Sequence, residues 1–187
     1  LKNNNLDIVY SNCYFFYNKT KKKKIFFKNL HVGKITQKLL NNYNIAGILT
    51  ALCKKRVFKK QNFVGKYEII GDFDFFTKLS LKGLFFFFYE PLSYYRIHEK
   101  NTSKTKIDLF IKEFNLWINE NKNLGLFKNY NLDGVFSQIQ ILKIKRYLLK
   151  NSKIKVLKEI FKSPVNFKKL KFLATLILPE FIVKKFF

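Results

Sequence analysis

The first half of the chain alternates between short apolar runs with strand-like composition and runs with helical spacing. Residues 6–16, LDIVYSNCYFF, are rich in β-branched and aromatic side chains and predict a strand. A lysine-rich stretch then predicts an exposed turn, and residues 25–30 predict a second strand that pairs back on the first. Residues 47–58, GILTALCKKRVF, predict a buried strand that runs into a basic turn.

Helical spacing first appears over residues 34–42, where apolar side chains recur three or four positions apart. The same spacing over residues 72–82 predicts a second helix, for which Gly83 is a suitable C-terminal stop. The run of four phenylalanines that follows predicts a strand broken at Pro91, because proline lacks the N–H that a ladder needs. Residues 92–98, LSYYRIH, predict a further extended segment.

The second half of the chain is helical in pattern. Apolar residues at positions i, i+3, i+4 and i+7 predict an amphipathic helix that ends near Gly125. The stripe consists of Ile107, Phe110, Ile111, Phe114, Trp117 and Ile118. Residues 135–149 and 154–161 predict two further helices. The pattern as a whole therefore predicts an α/β core followed by a basic, helical C-terminal tail.

The net charge of the chain bears on which partners it could bind. The 187 residues contain 37 Lys and Arg against 12 Asp and Glu, which gives a formal net charge of +25. Such a charge suits nucleic acid, anionic lipid or a phosphorylated substrate. Genomic compositional bias explains it equally well, because Lys, Asn, Phe, Ile, Leu and Tyr are enriched together. The lysines are dispersed and no nucleic-acid motif is present, so we expect no nucleic acid partner. A basic module that binds nucleic acid or anionic membranes without catalysis is the alternative function.

The cysteines and apolar tracts bear on the cellular setting. Cys13 and Cys53 form no metal-binding pattern or disulfide framework, and their apolar surroundings predict buried free thiols in a reducing cytoplasm. No segment reaches the roughly 20 apolar residues that cross a bilayer. The most apolar tract, residues 172–187, fits a membrane-surface segment and a buried terminal helix equally well.

Two acids stand at the start of the predicted helix 72–82. Asp72 and Asp74 suit that place structurally, because a carboxylate there accepts unpaired N–H groups and meets the positive end of the helix dipole. A carboxylate is also a suitable general base. In the extended segment that follows, Arg96 and His98 project to the same face. Arg can bind a diphosphate and His a divalent metal, although ordinary surface contacts account for either residue alone.

The two acids at the start of the predicted helix and the segment with Arg96 and His98 together resemble the family 2 glycosyltransferases of the GT-A fold. The resemblance is carried by residues 67–103, YEIIGDFDFFTKLSLKGLFFFFYEPLSYYRIHEKNTS, and extends upstream to about Asp7. The matching positions are Asp72, Asp74, Lys78, Gly83, Glu90, Pro91, Leu92, Tyr95, Arg96, His98, Asn101 and Ser103. It implies that residues 1–103 are the acceptor-side, C-terminal part of a GT-A domain with a mixed sheet, and that residues 104–187 are a helical, basic extension.

The implied activity is transfer of a sugar from a nucleotide-sugar donor to an acceptor hydroxyl, with inversion, in cell-surface polysaccharide or glycolipid synthesis. By position in the motif, Asp72 is the base, and Asp74 is the second choice or a supporting residue. His98 matches the family's histidine that helps to bind a divalent metal, Mg or Mn. Arg96 would add positive charge near the diphosphate. The implied partners are the donor, a glycan or lipid-linked acceptor and an anionic membrane surface.

The chain departs from the family pattern at two positions and in its extent. Gly71 stands where many relatives have an acid, and Lys78 where arginine is common. The nucleotide-binding half, with its Asp-x-Asp metal motif, is expected before Leu1. We therefore interpret the chain as the C-terminal part of a glycosyltransferase, inactive in isolation. The resemblance places it in the cytoplasm, with peripheral contact at the inner face of the plasma membrane.

Overall fold

The computed structural model describes residues 6–26, 31–43, 45, 47–59 and 61–162, which form a mixed α/β fold. The elements in chain order are β1 (Ile8–Tyr17), β2 (Lys23–Ile25), α1 (Thr36–Asn41), β3 (Ala51–Cys53), α2 (Gly71–Ser80), β4 (Phe85–Ile97), α3 (Thr102–Thr105), α4 (Ile107–Asn123), α5 (Asp133–Leu149) and α6 (Lys153–Phe161). Short 3-10 helices, Gly47–Leu49 and Lys55–Lys59, flank β3. The predicted α/β class is confirmed.

β1 is the central strand of a four-stranded sheet. β4 runs parallel to it, from the pair Ile8–Phe85 to the pair Tyr17–Ile97. On the other side, β3 lies antiparallel beside the first half of β1 and β2 antiparallel beside the second half. A hairpin thus forms at the lysine-rich turn with its second strand at Lys23–Ile25, whereas residues 27–30 of the predicted second strand lie outside the described residues. A parallel pair needs a crossover connection, and the chain between β1 and β4 provides one that contains α1 and α2.

The predicted break at Pro91 is wrong, because β4 is a single strand from Phe85 to Ile97. Proline is tolerated in an edge strand, where no neighbouring strand needs its missing N–H. Among the described strands, β4 pairs with β1 alone and so has such an edge. Proline still disturbs the ladder, since the register shifts on both sides of Asn12, the residue opposite Pro91.

The buried strand predicted over residues 47–58 is also wrong. The strand there, β3, has three residues, and its central residue Leu52 is 62% exposed. The apolar run has strand-like composition, but only a short part of it pairs with β1. Val57, in the 3-10 helix that follows, is the residue of this segment that is fully buried.

The helices predicted from apolar spacing are confirmed, with small differences at their ends. α4 buries most of its predicted stripe. Gly125, just after its end, has a φ of 64°, a left-handed conformation that glycine adopts without steric cost. Spacing was therefore sufficient to locate both the buried face and the end of this helix.

α2 lies between two hydrophobic clusters and is the structural centre of the fold. Phe73 belongs to a cluster with α4 and α5, in which Phe114 and Trp117 are buried. Phe75 and Phe76 belong to a second cluster with β1, α1 and β4. The first cluster contains residues from both sides of position 103, where the sequence predicts the boundary between the two domains.

α5 approaches the end of α1 closely because Gly134 has no side chain. A Cβ placed on Gly134 would lie 2.3 Å from the Leu40 carbonyl oxygen and 2.4 Å from the Asn41 Cα. Both are backbone atoms, so rotation of a side chain cannot relieve the clash. Gly65 offers a contrast, since a Cβ there would meet nothing within 4 Å.

We expect Gly134→Ala to lower the free energy of unfolding by about 1–3 kcal/mol, the usual cost of extra volume in a close contact. This cost exceeds the roughly 0.5–1 kcal/mol that alanine gains over glycine inside a helix. Gly65→Ala, at an exposed position, should change stability by less than about 0.5 kcal/mol. Urea unfolding of both variants checks this. Equal midpoints for the two would contradict a fixed contact between α1 and α5.

Both cysteines are free thiols, as predicted. Cys13 is fully buried in β1, whereas Cys53 is only partly buried. Burial raises the pKa of the Cys13 thiol to about 11 and also raises that of Cys53. Both thiols are therefore protonated and weakly nucleophilic at neutral pH.

The predicted membrane contact concerns a different part of the chain. The apolar tract 172–187 lies outside the described residues, so its binding to anionic membranes stays a prediction. Within the described residues, no helix has both the length and the apolar character needed to cross a bilayer.

Candidate functional site

Asp72 occupies the second position of α2, and a buried acid of α4 fixes the loop that leads to it. Glu113 is 4% exposed. One of its carboxylate oxygens accepts a hydrogen bond from the Glu68 N–H at 2.8 Å, and the other accepts from the N–H groups of Ile69 and Ile70 at 3.0 Å. Hydrogen bonds to a charged group contribute about 1.5–3 kcal/mol each. Glu113 thus holds the backbone immediately before α2 in one conformation.

The Asp72 carboxylate is half-buried and bound on one side. Its Oδ1 accepts a hydrogen bond from the Phe73 N–H at 2.7 Å. Burial raises the pKa of Asp72 above its ordinary value of 3.8, while the hydrogen bond from Phe73 acts in the opposite direction. A raised pKa makes a carboxylate a stronger proton acceptor, which is the property that a general base needs.

A cavity of about 460 Å³ opens beside Asp72. Its walls come from the end of α1, the loop held by Glu113, the start of α2, the end of β4, and one face each of α4 and α5. The volume falls within the usual range for small-molecule sites. The predicted acid therefore lines a cavity of suitable size for a ligand.

Two tyrosines stand near the Asp72 carboxylate in this cavity. Tyr43 and Tyr95 both line it, and burial is the main cause that raises the pKa of each phenol, with the negative charge of Asp72 next. The Tyr43 hydroxyl is fully buried and makes no hydrogen bond of standard geometry, although Asp72 is close. The Tyr43 ring packs edge-on against Phe73, with 5.4 Å between ring centroids. The site thus combines one carboxylate with two phenols.

The structure places Asp74 away from the cavity, in the packing between α2 and α4. It is fully buried, and its Oδ1 accepts a hydrogen bond from the Trp117 indole N–H at 2.9 Å. The same oxygen lies 2.6 Å from the Lys78 ammonium nitrogen, one helical turn along. These contacts suit the supporting role, which is one of the two roles that the sequence left open for Asp74.

Arg96 and His98 lie together at the end of β4, outside the cavity. Side chains alternate along a strand, so Tyr95 faces the cavity while Arg96 is exposed on the opposite face of the sheet. His98 is exposed just after the strand, where its backbone N–H donates to Asn101 Oδ1. The Asn101 side chain in turn donates to the Arg96 carbonyl at 3.2 Å. The predicted residues therefore form two separate groups, one at Asp72 and one at the strand end.

The described residues contain no group of three His, Cys, Asp or Glu side chains arranged to hold a metal ion. The divalent metal stays a prediction that follows from the resemblance.

Sequence reasoning missed three residues of this site: Glu113, Tyr43 and Gln138, which lines the cavity from α5. Glu113 could have been suspected, since it is an acid beside the apolar stripe of a helix, four positions before Trp117, in a chain with few acids. Tyr43 and Gln138 carry no such signal, because their position depends on how α1 and α5 pack.

The chain matches no protein-family model and no curated protein. The resemblance to family 2 glycosyltransferases therefore stays a prediction that rests on the ordered motif in residues 67–103.

Proposed function

We propose that this chain is the acceptor-side part of a GT-A glycosyltransferase, which transfers a sugar from a nucleotide-sugar donor to an acceptor hydroxyl. The observation that carries the proposal is Asp72, a half-buried carboxylate of raised pKa on the wall of a cavity of about 460 Å³. The position that the motif gives to the base thus coincides with a cavity where a base can act. The parallel pair β1–β4, with helices in its crossover, is compatible with such a sheet.

In the proposed reaction, the acceptor hydroxyl lies in the cavity next to Asp72. Its oxygen attacks the anomeric carbon of the donor and forms the new glycosidic bond, while its proton passes to the carboxylate. The bond from the anomeric carbon to the diphosphate breaks, and the electron pair leaves with the nucleoside diphosphate. The carboxylate, held by the Phe73 N–H at Oδ1, is the group that accepts the proton.

The two groups of predicted residues take separate roles in this proposal. Asp72 serves the acceptor. Arg96 and His98 are exposed on the other side of the strand from the cavity, so their predicted contacts with the diphosphate and the metal take no part in this step. Asp74 positions α2 by its bonds to Trp117 and Lys78.

The test uses this chain together with any coding sequence that precedes Leu1 in the same reading frame. The purified protein is incubated with UDP-, GDP- and dTDP-sugars and a glycan and lipid extract, and release of nucleoside diphosphate is measured. We expect release that depends on the extract and on one class of donor. A folded protein that releases no diphosphate from any donor would remove the proposed function.

A further inference from the structure

The cavity beside Asp72 differs in charge from the rest of the chain. The sequence has 37 Lys and Arg, yet among the described residues none lines the cavity, whereas Asp72 and Glu68 do. Glu68 pairs with Lys106, but none of the ion pairs among the described residues involves Asp72, so a phosphate or carboxylate beside Asp72 would meet its negative charge at close range, which is unfavourable. The cavity therefore excludes anionic groups and suits an uncharged ligand.

The lining also indicates what kind of uncharged ligand fits. Aromatic rings of α2, α4 and β4 form one part of the wall, and hydroxyl and amide side chains form another. The Tyr43 hydroxyl is buried beside the Asp72 carboxylate, and a phenol oxygen there can still accept a hydrogen bond from a ligand. A sugar ring matches this lining, because it has apolar C–H faces and several hydroxyl groups.

α5 presents one continuous face to this cavity. Gly134, Ser137, Gln138 and Ile141 all line it, and they are spaced i, i+3, i+4 and i+7 on one side of the helix. Gly134 brings the helix against α1, and the next turn places Ser137 and Gln138 on the wall of the cavity. The neighbouring Gln140 has another task, since its Nε2 donates to the Glu159 carbonyl at 2.7 Å.

We propose that this face of α5 is the recognition surface for an uncharged saccharide, with Gln138 as a specificity-determining residue. The carboxamide can both donate to and accept from sugar hydroxyls, which distinguishes positions and configurations of those hydroxyls. The inference rests on the proposed function, for which it names the acceptor: an uncharged sugar unit, with any lipid phosphate held outside the cavity.

The experiment measures binding without a donor. The protein with any preceding in-frame residues is titrated with the methyl glycosides of glucose, galactose, mannose and N-acetylglucosamine, and with methyl glucuronide and inorganic phosphate as anionic probes. Saturation-transfer NMR and calorimetry report affinity. We expect at least one neutral glycoside to bind at least 10-fold more tightly than either anionic probe. Binding of an anionic probe as tight as that of the neutral glycosides, or binding of no glycoside at all, would overturn the inference.

Two variants of α5 test the assignment to Gln138. Gln138→Ala should weaken the neutral glycoside by roughly 5-fold, the effect of one lost neutral hydrogen bond. Gln140→Ala, on the same helix, should leave the affinity unchanged. Equal effects of the two variants would overturn the role of Gln138.

The glycoside-binding assay and the donor assay together distinguish failure of the inference from failure of the proposed function. If a glycoside binds through Gln138 but the donor assay releases no diphosphate, the saccharide site stands and the transferase function fails. If the donor assay succeeds while Gln138→Ala leaves glycoside binding and the KM for acceptor unchanged, the transferase function stands and the inference fails.

Discussion

Replacement of Asp72 by Asn should lower the turnover of sugar transfer by about 10²–10⁴-fold, the range typical for loss of a general base. Asn keeps an oxygen that accepts the Phe73 N–H, now at 2.7 Å, and it nearly preserves the side-chain volume. It cannot take the proton from an acceptor hydroxyl. Turnover should therefore fall while the fold persists, and steady-state kinetics beside thermal unfolding measures both.

The raised pKa of Asp72 predicts how stability responds to pH in the same variant. Between the ordinary value of 3.8 and the higher value in the folded protein, the native state holds a proton that the unfolded chain releases. Protonation thus favours the native state, and this contribution is lost as pH rises through the folded pKa. Asp72→Asn should equal or exceed the wild type in stability at neutral pH, and any advantage should shrink toward pH 3.

Asp108→Asn is a matched control, because Asp108 is the second residue of α4 as Asp72 is of α2. Asp108 is exposed and pairs with Arg146 at 2.8 Å, so its replacement should cost at most about 1 kcal/mol and no turnover. If Asp72→Asn melted early but turned over normally once folded, Asp72 would be a structural residue and the site assignment would be wrong.

Loss of Glu113 should have the largest effect on stability. Glu113→Ala would leave three backbone N–H groups without their acceptor, and a buried unpaired donor costs about 1–3 kcal/mol. Because such costs are not fully additive, we expect a total loss of about 3–5 kcal/mol. Urea unfolding gives the loss, and amide hydrogen exchange should show that protection falls first at residues 68–70.

Two further variants test this interpretation of Glu113. Glu113→Gln retains one carbonyl oxygen as acceptor and should lose roughly half as much stability. Glu99→Ala removes the same charge from an exposed turn and should change stability by less than about 0.5 kcal/mol. Unchanged exchange at residues 68–70 in Glu113→Ala would show that the loop holds its conformation without this carboxylate.

The parts of the fold that were predicted correctly are those that local sequence determines. α2 and α4 have apolar side chains at helical spacing, and each buries the predicted face. The predictions at residues 47–58 and at Pro91 failed because strand length depends on what lies beside the strand. β3 pairs with only the first half of β1, and β4 has an edge on which a proline is tolerated.

In the candidate site too, one residue could be predicted from local sequence and the residues around it could not. Asp72 could be named from its motif, since the motif is a continuous run of residues. Its surroundings come from α1, α4 and α5, through Tyr43, Glu113 and Gln138, and these contacts span long distances along the chain. Sequence periodicity does not reveal such contacts, so the cavity, and the lack of Lys and Arg among the described residues that line it, are seen only in three dimensions.

Trp117 gives this fold a built-in optical signal. It is the chain's single tryptophan and is fully buried, with its indole bound to Asp74 and its ring centroid 5.0 Å from that of Phe73. Its fluorescence should therefore lie at short wavelength in the folded protein and move to longer wavelength when α2 and α4 separate. Because Phe73 also lines the cavity, a ligand that enters beside it should change the emission intensity, so binding can be followed without a label.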